Sequence, residues 1–449
     1  MQRSLEPNDM VRAGLCIGCG GCAERMAWDR DGFLKPVSSN VPPEMFEAQC
    51  PFSPRAANED SIAAERFPEA PALDGRIGRF EAAYVGHVED QPFRPGGSSG
   101  GLTSWVAAEL LREGLVDGVA HVAPADPASG RLFAYRISRS IDELSAGAKS
   151  RYYPVELSQV LAEIRATPDR YAIVGIPCFI KAIHLLRSVD PVIGERVTHT
   201  LGLFCGHMKS AAMVESFAWQ LGTELKRVKA LDYRIKDENR PANWYRAHLD
   251  LEDGSNAEQD WWHLADGDWG AGFFQNPACN WCDDVVAETA DISFGDAWVE
   301  PYSSDGRGTN VVIVRSKEMK ALVERGRTDG RLSLEPVDAE FIVRTQAAGL
   351  RHRRDGLAYR LTWPGRPAIL GRKRVAPSAD LPLRRKLVYR LRYSIAGWSH
   401  PMLRLARKLH LPAIYTRWAR SVLRLYQSVT WSRGRLGRLI DRLMPLGSP

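Results

Sequence analysis

Between about residues 79 and 316, short β-rich apolar runs alternate with stretches whose apolar positions recur every three or four residues. That alternation predicts strands and helices in an α/β arrangement. Residues 171–176 (YAIVGI) read as a buried strand closed by Pro177-Cys178, and 179–186 have helical periodicity. Cys178 is therefore expected in a strand-to-helix turn near a helix N-terminus, whose dipole favours a thiolate. A second strand, 198–204, runs into Cys205-Gly206-His207; a third, 291–294, runs into Gly295-Asp296-Ala297-Trp298; 310–315 form a fourth. A glycine-rich stretch, 95–104 (PGGSSGGLTS), precedes a helical pattern over 105–113. Beyond Val375 the pattern becomes short helical stretches broken by Pro382, Pro401, Pro412 and Gly434. Leu383, Leu387, Leu391 and Ile395 share one face there, and Ile414, Trp418, Val422, Leu425 and Val429 form another apolar stripe.

With 449 residues, 44% of them hydrophobic, the chain is long enough for two or three domains with substantial cores. The first ten residues, MQRSLEPNDM, lack the basic and apolar regions of a secretory signal. No run reaches the eighteen apolar residues of a membrane span. A cytoplasmic location is expected. The net charge of +6 conceals an asymmetry: residues 351–449 hold 23 Lys and Arg against Asp355, Asp380 and Asp441, whereas the preceding 350 residues hold 37 basic and 51 acidic side chains. Basic amphipathic helices with aromatic residues suit an anionic membrane surface, here the inner face of the membrane, or a protein partner. Packing on the chain's own acidic body is the other reading. No groove-reading or RNA-binding motif is present, so nucleic acid is not expected.

Cysteine changes the picture most. Cys16, Cys19 and Cys22 form C-x2-C-x2-C, and Cys50 precedes Pro51, the arrangement of a ferredoxin cluster ligand set. Gly18, Gly20 and Gly21 let the backbone wrap closely and turn N–H groups toward sulfur. One such run implies one [4Fe-4S] cluster; a four-thiolate zinc site is the alternative, although zinc sites usually present two separated C-x2-C pairs. Cys178, Cys205, Cys279 and Cys282 make a second four, two at strand exits and two as C-x2-C. A second cluster, a zinc site and scattered core thiols remain open for them. The glycine-rich loop opening a helix suits phosphate, or is a flexible turn. Lys149, Arg151 and the aromatic residues of 148–154 could hold an anionic ring-bearing cofactor or be ordinary surface charges.

Taken together, CIGCGGC and CP (16–51), WDRDGFLKP (28–36), SSGGLTSWVAAELLREGLVDGVAHV (98–122), KSRYYP (149–154), AIVGIPCFIKAIHLL (172–186), GLFCGH (202–207), CNWCDD (279–284), ADISFGDAWVEP (290–301) and GRGTNVVIVRS (306–316) resemble the coenzyme F420-reducing hydrogenase/dehydrogenase beta-subunit family of iron–sulfur flavoproteins. The resemblance implies FAD and two [4Fe-4S] clusters, with electrons exchanged with ferredoxin, a deazaflavin or an organic substrate. By motif position it puts Gly97, Ser99, Gly100, Gly101 and Thr103 near the FAD phosphates and Lys149, Ser150 and Tyr152 along the flavin. His207, next to a candidate ligand, could relay a proton or be structural. The expected architecture is a ferredoxin-like [4Fe-4S] module over 1–75, a mixed-sheet α/β flavin-binding core over 76–345, and a basic α-helical tail over 346–449. The expected function is oxidoreduction by hydride transfer at the flavin. A non-catalytic electron relay and a zinc-stabilised binding protein are the alternatives.

Overall fold

The computed structural model describes residues 4–444. At its centre is an eight-stranded mixed sheet in the order Leu332–Pro336, Ala82–Val88, Asn310–Val314, Ile292–Asp296, Val197–Leu203, Tyr171–Gly175, Gly118–Pro124 and Phe133–Ser138. Ile292–Asp296 through Gly118–Pro124 run parallel, and antiparallel pairings complete the sheet on both sides. A parallel sheet needs cover on both faces, and Tyr171–Gly175 is accordingly buried at every position; the antiparallel Asn310–Val314 is buried throughout as well.

One set of alternate residues, with Tyr84, Val119, Val174, Phe294 and Val312, packs under helices Leu102–Arg112 and Lys317–Thr328. On the opposite face Ala120, Tyr171 and Ile173 meet Ser158–Ala166 and Pro177–Val189. Farther along that face Ala83, Val85, Val311 and Ile313 meet Ala339–Thr345 and Ala347–Arg353. The strand expected over 171–176 ends one residue earlier, and Pro177 opens the following helix, where its missing N–H costs nothing. Cys178 thus sits in the first helical turn.

Residues before 75 contribute helix Pro7–Arg12, a hairpin of Arg25–Trp28 with Leu34–Ser38, and helix Pro43–Gln49. Met10, Leu15, Ile17, Phe46 and Phe52 from this segment share one core with Leu161, Phe179, Ile183 and Trp281.

The tail differs from expectation at Pro401, which lies inside one helix, Leu383–Lys408. A proline deprives the carbonyl four residues back of its donor; here that residue is Gly397, which is exposed to water. Pro412 and Gly434 instead open helices Pro412–Trp431 and Gly434–Leu443. The two apolar stripes expected to meet a membrane or partner mostly pack inward. Ile395 and Val429 are buried, and Leu387, Leu391, Ile414, Trp418 and Val422 lie against a core shared with helix Ala212–Gln220 and the three-stranded sheet of Val228–Asp232, Arg246–Leu251 and Asn256–Asp260. Leu383 and Leu425 remain exposed. Ion pairs Arg404–Asp31 and Arg407–Glu215 fasten the basic tail to the acidic body. Among the described residues no helix is long and apolar enough to cross a membrane.

Candidate metal and flavin sites

The two cysteine quartets each gather around one cavity. Cys16, Cys19, Cys22 and Cys50 line the first, together with Gly18, Gly20 and Gly21. Gly18 and Gly20 have φ of 72° and 80°, and a Cβ on Gly18 would stand 2.3 Å from the Leu34 carbonyl oxygen; only glycine lets the loop close there. Cys178, Cys205, Cys279 and Cys282 line the second cavity with Met208, Asp284 and Arg353. Ile17 and Phe52 belong to both walls, so the sites are neighbours.

Each quartet brings four thiols to the wall of one cavity. Burial, and then the neighbouring cysteines, push the Cys19 and Cys50 thiols up to about 12 and raise Cys22, Cys178 and Cys205 as well. Four thiolates therefore share such a cavity only with compensating positive charge among them. Among the described residues no group of three or more His, Cys, Asp or Glu side chains is arranged to hold a metal ion. N–H donors are in position: Met208 N–H points at Cys279 Sγ, 3.3 Å away.

The glycine-rich loop lies against Gly308-Thr309-Asn310. Ser99 Oγ donates to the Thr309 carbonyl at 3.0 Å, and a Cβ on Gly100 would sit 2.8 Å from Asn310 Oδ1. Gly101, at φ 88°, caps helix Leu102–Arg112, whose Leu102 N–H donates to Asn310 Oδ1 at 3.2 Å. Thr103 lies in the first turn of that helix, and Gly97 precedes the loop's tight contact with Phe93. The 148–154 segment meets this loop through Ser150 N–H and Ser98 Oγ at 2.8 Å. Lys149 adopts φ 102°, a left-handed conformation rare outside glycine, and pairs with Asp232 at 3.4 Å.

Four cations crowd here. Lys236 donates to the Ser99 carbonyl at 2.9 Å, and burial followed by Lys149, Arg94 and Arg234 pulls its pKa down to about 8. Arg94 is itself buried, donating to the Gly308 carbonyl at 3.0 Å and pairing with Asp305 at 2.9 Å. Arg234 pairs with Asp296 at 3.1 Å and lies 4.2 Å from the Tyr245 ring centroid. Lys149, Arg94 and Arg234 thus have carboxylate partners, whereas the bonds of Lys236 among the described residues go to backbone carbonyls, of Arg94 and Ser99.

Aromatic rings connect this corner to the second quartet. Tyr152 stands 4.7 Å from Trp269, centroid to centroid, and Trp269 stacks on His207 at 4.3 Å. His207 is two residues from Cys205. It is buried, neither ring nitrogen has a partner among the described residues, and burial with Lys209, Arg392 and Arg353 holds its pKa well below the usual value. Burial thus disfavours the charged imidazole. The first quartet is linked as well, because the segment carrying Lys149 and Tyr152 continues to Leu157, whose N–H donates to the Cys19 carbonyl at 2.8 Å.

Residues 83–162 match the N-terminal model, and residues 168–340 the C-terminal model, of the coenzyme F420 hydrogenase/dehydrogenase beta subunit. Together they span more than half the chain. The protein belongs to this beta-subunit family. An uncharacterized protein of Methanocaldococcus jannaschii is 25% identical over 253 residues, 54% of this chain and 63% of that protein's length. A chain of the F420-reducing [NiFe] hydrogenase complex from Methanosarcina barkeri is 18% identical, with a TM-score of 0.48 over 63% of this chain and 92% of that one.

The part matched to the beta-subunit family holds the glycine-rich loop, Lys149, Ser150, Tyr152, His207 and the second quartet. The first quartet, Arg353 and the tail lie outside it. Sequence reasoning did not select Arg94, Arg234, Lys236, Asn310 or Arg353. Arg94 directly precedes the glycine-rich stretch and could have been found from that proximity; no local pattern marks the others.

Proposed function

We propose that this beta-subunit family member is an iron–sulfur flavoprotein oxidoreductase. In this reading each cysteine quartet holds a [4Fe-4S] cluster. FAD lies along Gly97, Ser99, Gly100, Gly101, Thr103, Lys149, Ser150 and Tyr152, with Arg94 and Lys236 on its phosphates. The observation carrying the reading is that two complete quartets line two cavities with a common wall. Clusters pass single electrons, and a flavin exchanges these for a hydride, donated to or taken from a deazaflavin such as coenzyme F420, or an organic substrate. Ferredoxin or a reduced deazaflavin is the partner on the electron-supplying side. His207, stacked on Trp269 two residues from Cys205, would relay a proton near the flavin. Residues 1–75, 76–345 and 346–449 would be the cluster module, the flavin core and the tail.

Anaerobic purification with metal, sulfide and flavin analysis tests this. About eight irons per chain, four per cluster, and one FAD are expected; protein carrying zinc alone and no flavin would overturn the reading. Turnover of a small substrate by the isolated chain separates an enzyme from a relay that only hands electrons onward.

The tail would act at an anionic membrane surface through helix Gly434–Leu443, not through the stripes packed on the core. Leu436, Leu439 and Leu443 recur on one face of that helix and are exposed, as is Trp431 just before it. Exposed Arg435, Arg438 and Arg442 flank them. That combination suits the interface of an acidic bilayer. Leu436→Asp with Leu439→Asp should abolish cosedimentation with phosphatidylglycerol vesicles and leave the melting temperature near wild type; unchanged binding would refute it.

A further inference from the structure

Residues 362–382 join helices Asp355–Leu361 and Leu383–Lys408 without helix or strand. Structureless connections longer than about 12–15 residues are uncommon in compact folds and usually serve a function. The middle of this one crosses a loop from each quartet. Gly371 lies against the loop that follows Cys50, where a Cβ would stand 2.8 Å from Pro54 Cα. Lys373 Nζ is 5.1 Å from the ring centroid of Phe52, the wall common to both cavities. Arg374 N–H donates to Asp283 Oδ2 and its guanidinium to the Asp283 carbonyl, each at 3.1 Å, directly after Cys282. Ile369, Leu370 and Val375 pack on the core that Cys50 and Cys282 also border.

One residue holds this crossing. Over residues 367–377, every hydrogen bond to the rest of the chain among the described residues comes from Arg374. Its guanidinium also pairs with Glu288 at 2.7 Å and Asp60 at 3.0 Å, and stands 3.7 Å from Glu59. Most of these acids have other support. Glu59 pairs with Lys181 at 3.2 Å, Glu288 with Arg354 at 3.4 Å, and Asp60 is exposed to water. Asp284 accepts from the N–H groups of Val286 at 2.9 Å and Glu288 at 3.0 Å. Buried Asp283 has no bonded partner but Arg374 among the described residues. Withdrawal of Arg374 therefore strands the neighbour of Cys282 as it uncovers Phe52.

We infer that residues 369–375 are a strap latched by Arg374 over both quartets, and that metal enters and leaves both cavities when the strap lifts. The inference rests on the reading above that the quartets hold metal. No strand or helix has to move, because the strap contains none. An unpaired buried carboxylate is costly, so the latched form dominates. Because one segment covers the common wall, one opening serves both sites. Arg374 is a positioning residue, acting on the Cys282 loop through Asp283.

Anaerobic release of metal from the full-length holoprotein to excess colour-forming chelator tests the strap, with Cys22→Ser and Cys282→Ser assigning release to each quartet. Arg374→Gln should speed release from both quartets at least about tenfold, since a broken buried ion pair favours the open form. Arg374→Lys, which keeps the charge, should recover part of the wild-type rate. Gly371→Ala, whose Cβ pushes the segment off Pro54, should also speed release. Arg372→Gln, exposed on the same segment, should release metal as the wild type does. Release of FAD should stay unchanged throughout. Wild-type metal release from both Arg374→Gln and Gly371→Ala, faster release from one quartet alone, or a parallel rise in FAD release overturns the inference. Where Arg374→Gln does not fold, Gly371→Ala decides. Holoprotein without metal at the quartets refutes the metal reading, and this inference with it; metal present but released at an unchanged rate refutes the strap alone.

Discussion

Gly101 holds a left-handed backbone, and a Cβ there would meet the Phe93 carbonyl carbon at 2.6 Å. Gly101→Ala should cost more than about 1 kcal/mol and lower the flavin-to-iron ratio without changing iron content. Lys236 supplies a pH signature. An unfolded lysine keeps its proton to about pH 10.4, whereas Lys236 in the folded chain releases it near 8. The flavin-free fold is therefore penalised at and below pH 8 and gains stability as pH rises toward 10. A bound diphosphate removes that penalty, so the rise in melting temperature on adding FAD should be greatest below pH 8 and shrink above it. Lys236→Met should flatten the pH dependence and weaken FAD roughly ten- to a hundredfold, the value of a charge-assisted hydrogen bond. The cysteines were legible in the sequence because rare residues at short spacing carry their own signal. Lys236 and Arg353 were not: cations are common, and Lys236 reaches its partner Ser99 across 137 residues of chain.

Strands 171–175 and 310–314 could be read because burial on both faces forces an uninterrupted apolar run, and their observed limits differ from expectation by a single residue. Amphipathicity in the tail was equally legible, but it says only that a face is covered, not by what. The covering surface comes from residues 212–274, remote in sequence. Removing residues 376–449 should consequently expose the core around Phe217, Phe273 and Phe274 and yield aggregated or strongly destabilised protein, measurable by solubility and thermal melting. A truncated chain as stable as the full one would contradict the packing of Tyr415, Ala419 and Val429. Pro401 was misread for a related reason: a proline's local cost is met by water at Gly397 while Leu403 and Ala406 remain packed.

At the scale of the whole molecule, an acidic body and a basic tail neutralise one another in part through Arg404–Asp31, Arg407–Glu215, and Arg374 with Asp60 and Glu288. The two cavities are likewise coupled. Phe52 walls both, so Phe52→Ala should quicken air bleaching of both clusters, followed by visible absorption, whereas a change in one wall alone should affect one. Equal bleaching rates in wild type and variant would show the wall to be unimportant for access.

That common wall also sets a timetable. The cysteine run at 16–22 leaves the ribosome early, yet the partners that close around it, Leu161, Phe179, Leu186 and Trp281, are made more than a hundred residues later. Chains grow at about 5–20 residues per second, so the first thiols emerge well before their enclosure exists. The site encoded first is enclosed only after Trp281 has been made, so in the iron–sulfur reading proposed above its metal would be delivered to a chain already long enough to fold around it.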